Sequence, residues 1–593
     1  MKLNSVALLL FFILLSPLTG VNARNSMEIK SDSIFGNESF RTRLLGLEPF
    51  SYDRMITPFV DDPFNPVNAG EFRFGLNPYR HMLCPVTSFS GLDTNSGVSN
   101  INLILGSKRE QLLFIDHHQK VSRHMKARVA YNSIVSPGFL LNSFATYRRI
   151  FTGLDYSKKR VRSSFEFQYN RLSVDENGGV SPAQETVGLS LSEFEQLRTY
   201  LPDDRRLVRD WQLNSVNEFL LSKPADSIFS ASSPGLFFLL NADWKRFGSS
   251  YEGVVDTSFF PNVYKDSTTT ADSIGFLLWR LSPGLSFRIG KGAVRMRFDA
   301  GFSFTKVSSI QNDSGASGNY STPFAAFSFS LRNLDMAFRY ETVAGPWFND
   351  GDYSWSAMFT YFRPTGFIRK WSGSFQQRRI APGLLTADYA ANQIHWSNEF
   401  DKENYLLASG RFEFLNGRVA AYIDAARVDD WVYMNEAAIP VQADNAVALL
   451  KSGLEWKGEW RKWQFSVMMV HAARKGDQVR FPDWSAWSRI SYKAAFFKKA
   501  LKAEVGVAVY GTQAYDAMGF MPLTGERYLI NGFRTGGVPV LDAFFHAGIG
   551  RATLSFVVQR VNDGLFGDEY YVAPGYPAPP RTLKFVMRWL LFN

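Results

Sequence analysis

The sequence is poor in cysteine and in long apolar runs. Cys84 is the only cysteine in 593 residues, so an intramolecular disulfide and a CxxC metal site are both excluded. No segment approaches the roughly 18 consecutive apolar residues that a membrane-spanning helix needs. The mean hydropathy of −0.15 is also far below that of a helical membrane protein. The chain is too long for one ordinary soluble core and shows no linker, so a soluble multidomain protein is disfavoured as well.

Motifs for catalysis and metal binding are also missing. The sequence has no P-loop, no HExxH and no GxSxG nucleophile elbow. His117, His118 and His124 form the one histidine cluster, and neighbours on a strand face opposite sides, so His117 and His118 cannot share a metal. We therefore expect no enzymatic activity, no metal and no cofactor. A Ser–His pair on the outer wall of a barrel is the alternative, because such sites leave little trace in a sequence.

The first 23 residues have the pattern of a secretory signal peptide. Lys2 supplies the charged start, and an apolar run at 6–15 is too short to span a membrane. The tripeptide ending in Ala23 fits a small-x-small cleavage site. An uncleaved anchor is the alternative. An exported protein rarely meets nucleic acid, so the net charge of +10 leaves contact with anionic lipid or a basic pore as its two interpretations. The cations are spread along the chain rather than clustered, so the charge is only weak evidence for either.

Residues 24–97 differ in composition from the C-terminal remainder of the chain. They are rich in Asp, Asn, Pro and Phe, as in PFVDDPFNPVNAGEF at 58–72, and they lack sustained alternation. We interpret them as an irregular periplasmic or lumenal segment, too short for the folded plug of a TonB-dependent receptor but able to fill part of a pore. A calcium loop of the EF-hand type is disfavoured, because its ligand spacing is not matched by Asp61, Asp62 and Asn65. We expect these residues to form turns and caps instead.

Strand signals begin at about residue 98, and aromatic residues make up 15% of the chain. The clearest signal is at 294–304, where the even positions read VMFAFF and the odd positions read RRDGS. Alternation with a period of two places these sets on opposite faces of a strand. One apolar and one polar face over about ten residues are typical of a transmembrane β-strand.

The last stretch, 581–593, has the same property. Its apolar set is Leu583, Phe585, Met587, Trp589 and Leu591, and the opposite face is mixed, with two cations. About ten residues cross a bilayer when the strand is tilted by roughly 45°. We predict that this is the closing strand of a barrel and that the apolar set faces lipid. An ordinary C-terminal strand of a soluble sandwich is the alternative.

Tight turns alternate with longer connections along residues 98–593. Hairpin turns are predicted at Arg332-Asn333, at Asn416-Gly417 and at Gly458-Glu459. The last of these lies within a cluster of tryptophans that suggests an interfacial girdle, namely Trp456, Trp460 and Trp463. Longer polar connections are predicted at 311–321, 429–446 and 562–581. The predicted fold class is an all-β, antiparallel, transmembrane barrel of the outer-membrane type with an even number of strands, roughly 18–24.

The polar faces of these strands carry charges that we predict to line the lumen. Their slight cationic excess leads to the hypothesis of a weak anion preference. A solvated inner wall without selectivity is the alternative for any single residue. The candidate lumen charges are Arg295, Arg297, Asp299, Arg332, Arg339, Glu341, Lys502 and Glu504.

Long ordered motifs resemble a known family. The stretch at 110–180 resembles the putative porin family of Bacteroidetes outer membranes, and so do the stretches at 496–522, 538–558 and 570–593. The residues that carry the resemblance in the first stretch are His117, His118, Gln119, Gly138, Phe139, Asn177, Gly178 and Gly179.

The resemblance implies a porin in the cell outer membrane that passes small hydrophilic solutes by passive diffusion. The expected partners are outer-membrane lipid, the solutes and the barrel-assembly machinery. Two alternatives remain open. One is a scaffold or partner subunit of an outer-membrane complex, and the other is a transporter for hydrophobic substrates that residues 24–97 plug.

Overall fold

The computed structural model describes residues 68–76, 78–79, 97–180, 193, 196–222, 234–290, 293–312, 314–565 and 571–592. The predicted signal peptide and its cleavage site at Ala23 lie outside these residues. None of the helices in the described part of the chain is long and apolar enough to span a membrane.

The described chain forms one antiparallel sheet of 22 strands, numbered here β1 to β22. Strand β1 pairs with β2 on one side and with the last strand on the other, where Val98 faces Phe592, so the sheet closes on itself. Closure removes the open edges that hydrocarbon would leave without hydrogen-bond partners. The predicted barrel is confirmed, and its strand count is even and within the predicted range.

The strands have these bounds: β1 Val98–Gly106, β2 Gln111–Ser122, β3 Met125–Ser136, β4 Ala145–Lys158, β5 Val161–Asp175, β6 Arg205–Leu220, β7 Gly235–Val254, β8 Thr269–Ile289, β9 Val294–Gln311, β10 Ser314–Leu331, β11 Leu334–Thr342, β12 Tyr353–Phe362, β13 Ile368–Ile380, β14 Glu403–Phe414, β15 Val419–Asp429, β16 Val447–Trp460, β17 Trp463–Lys475, β18 Trp484–Phe496, β19 Leu501–Thr512, β20 Val540–Ile549, β21 Ala552–Gln559 and β22 Thr582–Phe592.

Short elements lie in the connections. Small two-stranded sheets pair Asp388–Ala390 with His395–Ser397, Val432–Met434 with Pro440–Gln442, Tyr515–Met521 with Glu526–Thr535, and Tyr571–Ala573 with Tyr576–Pro577. One α-helical turn spans Leu384–Ala387, and 3₁₀ turns span Ser107–Arg109, Leu415–Gly417 and Phe497–Lys499.

Each strand presents one face outward and one inward, as the alternation predicts. On β9, Phe298 and Phe302 are exposed on the outer face, while Arg297 and Asp299 are largely buried on the inner face. On β22, Leu583 is 53% exposed whereas the adjacent Lys584 is 1% exposed. The outer face is therefore the apolar belt of a membrane barrel, and the inner face carries the polar side chains.

The two ends of the barrel differ. We call the end with the connections 381–402, 430–446, 513–539 and 560–581 the long-loop end, and the opposite end the short-turn end. Tight turns at 123–124, 159–160, 332–333, 461–462 and 550–551 join strands at the short-turn end. Because outer-membrane barrels carry short turns on the periplasmic side and long loops outside, the long-loop end faces the exterior.

Two predicted connections are wrong. Strand β16 continues to Trp460 and the turn falls at residues 461–462, not at Gly458-Glu459, because Trp460 still pairs with Trp463. The stretch 311–321 is not a long loop, since Ser314 pairs with Gln311 and the ladder of β9 and β10 continues from there. Polar residues can extend a strand beyond the membrane, where water satisfies their side chains, so polarity alone did not mark a loop.

Candidate functional site

The described part of the N-terminal segment, residues 68–76 and 78–79, lies inside the barrel. It has no regular secondary structure, yet Ala69, Phe74, Leu76 and Tyr79 are all almost fully buried. Irregular backbone at this depth needs partners for its polar groups. The inner wall and the long loops supply them, so these residues form the candidate functional site together with the wall that they contact.

Arg73 attaches the segment to the wall by its charge. Its Nη1 atom lies 2.6 Å from Glu403 Oε2 and donates a second hydrogen bond to the carbonyl oxygen of Ala381, at 2.7 Å. Glu403 is the first residue of β14 and also accepts a hydrogen bond from the Val432 backbone, at 3.0 Å. Burial lowers the pKa of Arg73, but the Glu403 carboxylate more than offsets this and raises it above its usual value. The guanidinium therefore stays charged in its half-buried position.

The backbone at Gly70 is held from two sides. Its N–H donates to Glu341 Oε1 at 3.3 Å, and its carbonyl oxygen accepts a bond of 2.6 Å from Arg280 Nη2. The N–H of Ala69 donates to Ser354 Oγ at 3.3 Å. These partners belong to β11, β8 and β12. Inward polar side chains of the wall thus bond to backbone groups of the segment that no neighbouring strand pairs with.

Aromatic packing fixes the middle of the segment. Phe72 stacks on Trp347, with ring centres 5.6 Å apart, and its edge meets Phe276 at 5.1 Å. Phe74 packs against Phe276 at 5.0 Å and Phe247 at 5.9 Å. Phe276 therefore contacts both rings of the segment from strand β8. Aromatic pairs of this geometry contribute about 0.5–1.5 kcal/mol each beyond the area that they bury.

The segment joins two apolar clusters on the inner face. The first includes Phe74, Leu76 and Tyr79 with side chains of β1 to β8 and of the long loops, and the second includes Ala69 with side chains from β8 round to β17. Phe72 and Phe276 pack against both clusters. Buried apolar side chains therefore follow most of the wall near the long-loop end, which is the opposite of a uniformly polar lumen.

Tyr79 connects the segment to a buried acidic network. Its hydroxyl donates to Glu176 Oε1 at 2.8 Å, and Arg206 Nε lies 3.3 Å from the same oxygen. Burial raises the pKa of Glu176 to about 7, against the opposing effects of Arg206 and Tyr79. Burial likewise raises the pKa of the nearby Asp204 to about 6, although the Tyr251 hydroxyl donates to it.

Arg206 extends this network to the long loops. Its Nη2 atom donates to the carbonyl oxygens of Pro522 and Leu523 at 2.5 and 2.7 Å. Those two residues join the paired strands Tyr515–Met521 and Glu526–Thr535. The N-terminal segment, β6 and this hairpin are therefore tied together through Glu176 and Arg206.

Most of the predicted lumen charges are found on the inner wall, and several are paired. Arg297 Nε lies 2.8 Å from Asp299 Oδ2, and Arg339 Nη2 lies 2.9 Å from Glu341 Oε2. Glu504 pairs with Arg489 at 2.5 Å. Charges paired in this way lose much of their effect on a passing ion.

The other predicted charges lie near the short-turn end. Arg295 is exposed near the start of β9, and Lys502 is half-buried near the start of β19. Arg332 lies in the 332–333 turn with φ of 49°, so its predicted place on a strand face is wrong. The turn residue takes the left-handed conformation that a tight hairpin requires.

Some charged groups of the lumen were not among the predicted lumen charges. Arg288 Nη2 lies 2.6 Å from Glu218 Oε1, and its guanidinium lies 4.1 Å from the ring centre of Phe237. Lys584 Nζ lies 2.9 Å from Glu110 Oε2, which joins β22 to the chain just before β2. Arg288 lies on the polar face of an alternating strand, so periodicity offered a signal. Glu110, the partner of Lys584, is hundreds of residues away in the chain, so no local pattern in the sequence indicated this ion pair.

The residues predicted to face lipid on the closing strand differ in how far they are exposed. Leu583 and Trp589 are exposed, whereas Phe585, Met587 and Leu591 are half-exposed. Phe585 packs against Phe556 of β21, with ring centres 5.2 Å apart. Neighbouring outward side chains thus cover part of one another.

The histidines stand apart from one another. His117 Nδ1 lies 2.8 Å from Ser99 Oγ, and His118 Nε2 lies 2.9 Å from Asp116 Oδ1 on the other face. His124 lies in the turn after β2. Within the described residues, no group of three or more potential ligands has the geometry to hold a metal ion.

Comparisons with known proteins agree with the barrel. A family model described as "Putative porin" matches residues 55–593. No curated protein matches the sequence. The family match and the barrel together place the protein in the outer membrane.

Several solved structures share the fold at low sequence identity. The ferric-catecholate import receptor Fiu of E. coli K12 is 12% identical, with 84% of this chain and 82% of the receptor aligned and a TM-score of 0.58. The pyoverdine outer membrane receptor FpvA of Pseudomonas aeruginosa PAO1 is 12% identical, with 84% and 79% aligned and a TM-score of 0.59. The ferric preacinetobactin receptor BauA of Acinetobacter baumannii is 10% identical, with 84% and 80% aligned and a TM-score of 0.55. Identities this low establish a common fold and nothing finer.

Proposed function

The chain belongs to the "Putative porin" family, and from this membership we propose that it is a solute-transport barrel of the outer membrane whose lumen is closed at rest by its own N-terminal segment. The proposal assigns no catalytic step and no cofactor to the protein. The barrel supplies a wide enclosed path, because a closed sheet of this size has an interior that wall side chains alone do not fill.

The observation that carries the proposal is the way the described N-terminal segment is held on several sides. Arg280 on β8, Glu341 on β11 and Glu403 on β14 each bond to this segment. Glu176, in the loop after β5, accepts from Tyr79. A segment tied to so many parts of the wall occupies the space that solutes would cross.

The partners that hold the segment also suggest how it would be released. They include charged side chains and loop residues at the exterior end, rather than apolar contacts alone. A solute that binds the long loops could compete for these polar contacts and shift the segment. Two of the structures with the same fold are named as receptors for iron compounds, namely the ferric-catecholate import receptor Fiu and the ferric preacinetobactin receptor BauA. We extend to this chain only the idea of regulated passage, not their substrates.

The family description supports a second candidate, an open porin that passes small hydrophilic solutes by passive diffusion. In that case the segment would narrow the lumen without sealing it. The paired charges of the wall, such as Arg297 with Asp299, favour weak rather than strong ion selectivity. A scaffold subunit, the third possibility, would conduct in neither form.

Conductance in planar bilayers separates these functions. The first chain begins at Arg24, the second at Val67 and the third at residue 80, and folding of each is verified by heat-modifiable gel migration. The chain from Val67 keeps the described segment and is the matched control for shortening. The proposal predicts that only the chain from residue 80 shows steady open steps. Equal steady conductance by all three would favour the open porin, and silence from all three would favour a scaffold.

A further inference from the structure

Three arginines lie side by side on the outer surface of the barrel. Arg148 on β4 is directly opposite Arg171 on β5, and Arg171 is directly opposite Arg209 on β6. All three side chains are exposed. They share the outer face with apolar residues at even positions of β4 and odd positions of β5, such as Ile150 and Phe165. We call these three residues the arginine row.

No carboxylate stands next to the arginine row on this face. On the two flanking strands, the residue opposite Arg148 is Ser133 of β3, and the residue opposite Arg209 is Gly248 of β7. Within the described ranges, none of the three guanidinium groups makes a hydrogen bond or an ion pair. The nearest outward positions on either side are Thr146, Ser173 and Leu207 towards the long-loop end, and Ile150, Tyr169 and Trp211 towards the short-turn end.

Two other outward arginines at the same end of the barrel, Arg205 and Arg427, do have acidic neighbours. Arg205 lies 3.7 Å from Asp175 and is also opposite Glu252 in the register. Arg427, on β15, lies 2.8 Å from Asp429. Like charges directly opposite each other destabilise a sheet. An anion from outside the chain would therefore stabilise an arginine row that has no carboxylates beside it.

The height of the row on the barrel indicates the source of that anion. The arginine row lies one outward position closer to the long-loop end than Tyr169 and Trp211. The rings of these two residues are 4.1 Å apart and lie where an interfacial aromatic girdle would be. Arg148 is about 33 Å along β4 from Lys158 at the short-turn end, at roughly 3.3 Å per residue. With a tilt of about 35–45° this becomes about 23–27 Å along the membrane normal, close to the height of the apolar band of such barrels, about 25 Å.

We propose that Arg148, Arg171 and Arg209 form a binding site for the phosphate-bearing headgroup of a lipid in the exterior leaflet. Guanidinium groups bind phosphate oxygens through paired, charge-assisted hydrogen bonds. Adjacent Cβ atoms across the strands are about 4.5–5.5 Å apart, so two neighbouring guanidinium groups can reach one phosphate. The site goes beyond general lipid contact, because it selects for phosphate at one place on the wall.

Native mass spectrometry of the intact mature barrel in nonionic detergent tests the site. The probe is an acylated disaccharide that carries two phosphates, compared with the same lipid after phosphate removal. The test variant is R148Q/R171Q/R209Q, and the matched control is R427Q, which removes one outward charge that already has a carboxylate. Gel migration before and after heating verifies that every variant is folded.

The proposal predicts that the triple variant binds the phosphorylated lipid at least about tenfold more weakly, whereas R427Q binds it as the native chain does. The dephosphorylated lipid should bind the native chain as weakly as the phosphorylated lipid binds the triple variant. Undiminished binding by the triple variant would overturn the proposal. So would displacement of the lipid by inorganic phosphate at an equal concentration, because the site would then be a general anion site rather than a lipid site.

Discussion

Arg73 Nη1 lies 2.6 Å from Glu403 Oε2, and this ion pair joins an irregular segment inside the barrel to the first residue of strand β14. The Glu403 side chain is 2% exposed and that of Arg73 is 22% exposed. Removing one partner of a buried pair leaves the other charge uncompensated, which costs about 3–5 kcal/mol when both are fully buried. The cost is smaller here because water reaches Arg73.

R73Q and E403Q, each in the full mature chain, should therefore loosen the segment. We expect more frequent or longer open steps in planar bilayers, and no further increase in R73Q/E403Q, because both changes break the same contact. The exposed pair of Arg427 and Asp429 provides the control, since R427Q should leave the closed time unchanged. Additive effects of the two single changes would show that the pair does not act as one attachment.

Protonation of Glu176 should affect stability between about pH 4.5 and 7. Burial raises the pKa of this carboxyl to about 7 from its usual 4.5, so the folded state holds the proton more tightly than the unfolded chain does. This contribution to stability is present below pH 4.5 and is lost as the pH rises to 7. Asp204, with its pKa raised to about 6, changes stability in the same direction.

We therefore expect native barrels to unfold at a higher temperature at pH 5.5 than at pH 8, as measured by heat-modifiable gel migration. E176Q should reduce this difference without abolishing it, because Asp204 remains. D266N is the control, since hydrogen bonds from Thr268 lower the pKa of Asp266 to about 2, below the tested interval. An unchanged pH difference in E176Q would contradict the assignment.

Gly506 should be intolerant of a larger side chain. A Cβ at this position of β19 would lie 2.4 Å from the carbonyl oxygen of Ile490 and 2.6 Å from the Phe544 ring. Overpacking of this kind costs about 1–3 kcal/mol. G506A should accordingly lower the unfolding temperature.

Gly410 is the matched position on β14. Its added Cβ would lie 3.4 Å from Ile423 Cγ2, which is ordinary van der Waals contact. G410A should therefore leave the unfolding temperature unchanged or raise it slightly. Equal losses of stability in the two variants would refute the steric explanation.

Ion selectivity of the open form should depend on Arg295 more than on Arg297. In the chain that begins at residue 80, we expect a weak anion preference from reversal potentials under a salt gradient. R295Q should shift the reversal potential towards cations, because Arg295 is exposed near the short-turn end. R297Q/D299N removes a pair of opposite charges at 2.8 Å and should leave it unchanged. Cation selectivity of the parent chain would contradict the hypothesis.

The regular part of the barrel could be predicted because its signal is local. The alternation at 294–304 and on the closing strand distinguishes an apolar face from a polar one. In the structure, Phe298 and Leu583 lie on the outer face, and Asp299 and Lys584 lie on the inner face, as a period of two requires. A tilted strand in a bilayer has only two environments, lipid and lumen, so the residue pattern of each strand carries most of the information.

Turns near the membrane edge could be predicted only in part. The turn at Asn416-Gly417 follows from residues that favour positive φ, and φ is 60° at Asn416 and 79° at Gly417. The Trp460–Trp463 turn and the β9–β10 hairpin were misplaced because strands continue beyond the membrane. Beyond the membrane, water can hydrogen-bond to the polar groups of a loop and of a strand alike. The residue types in such a stretch therefore do not distinguish a loop from a strand.

The fold class of this protein could be predicted from the order of its residues alone. Hydrocarbon requires a closed sheet whose outer face is apolar, and this requirement appears in the sequence as alternation with a period of two. Which distant residues meet is a property of the folded barrel. Arg73 reaches Glu403 across 330 positions of the chain, and Arg148, Arg171 and Arg209 become neighbours only through the register of three strands. Register and lumenal packing depend on the balance of many weak contacts around the barrel, which no single stretch of sequence contains.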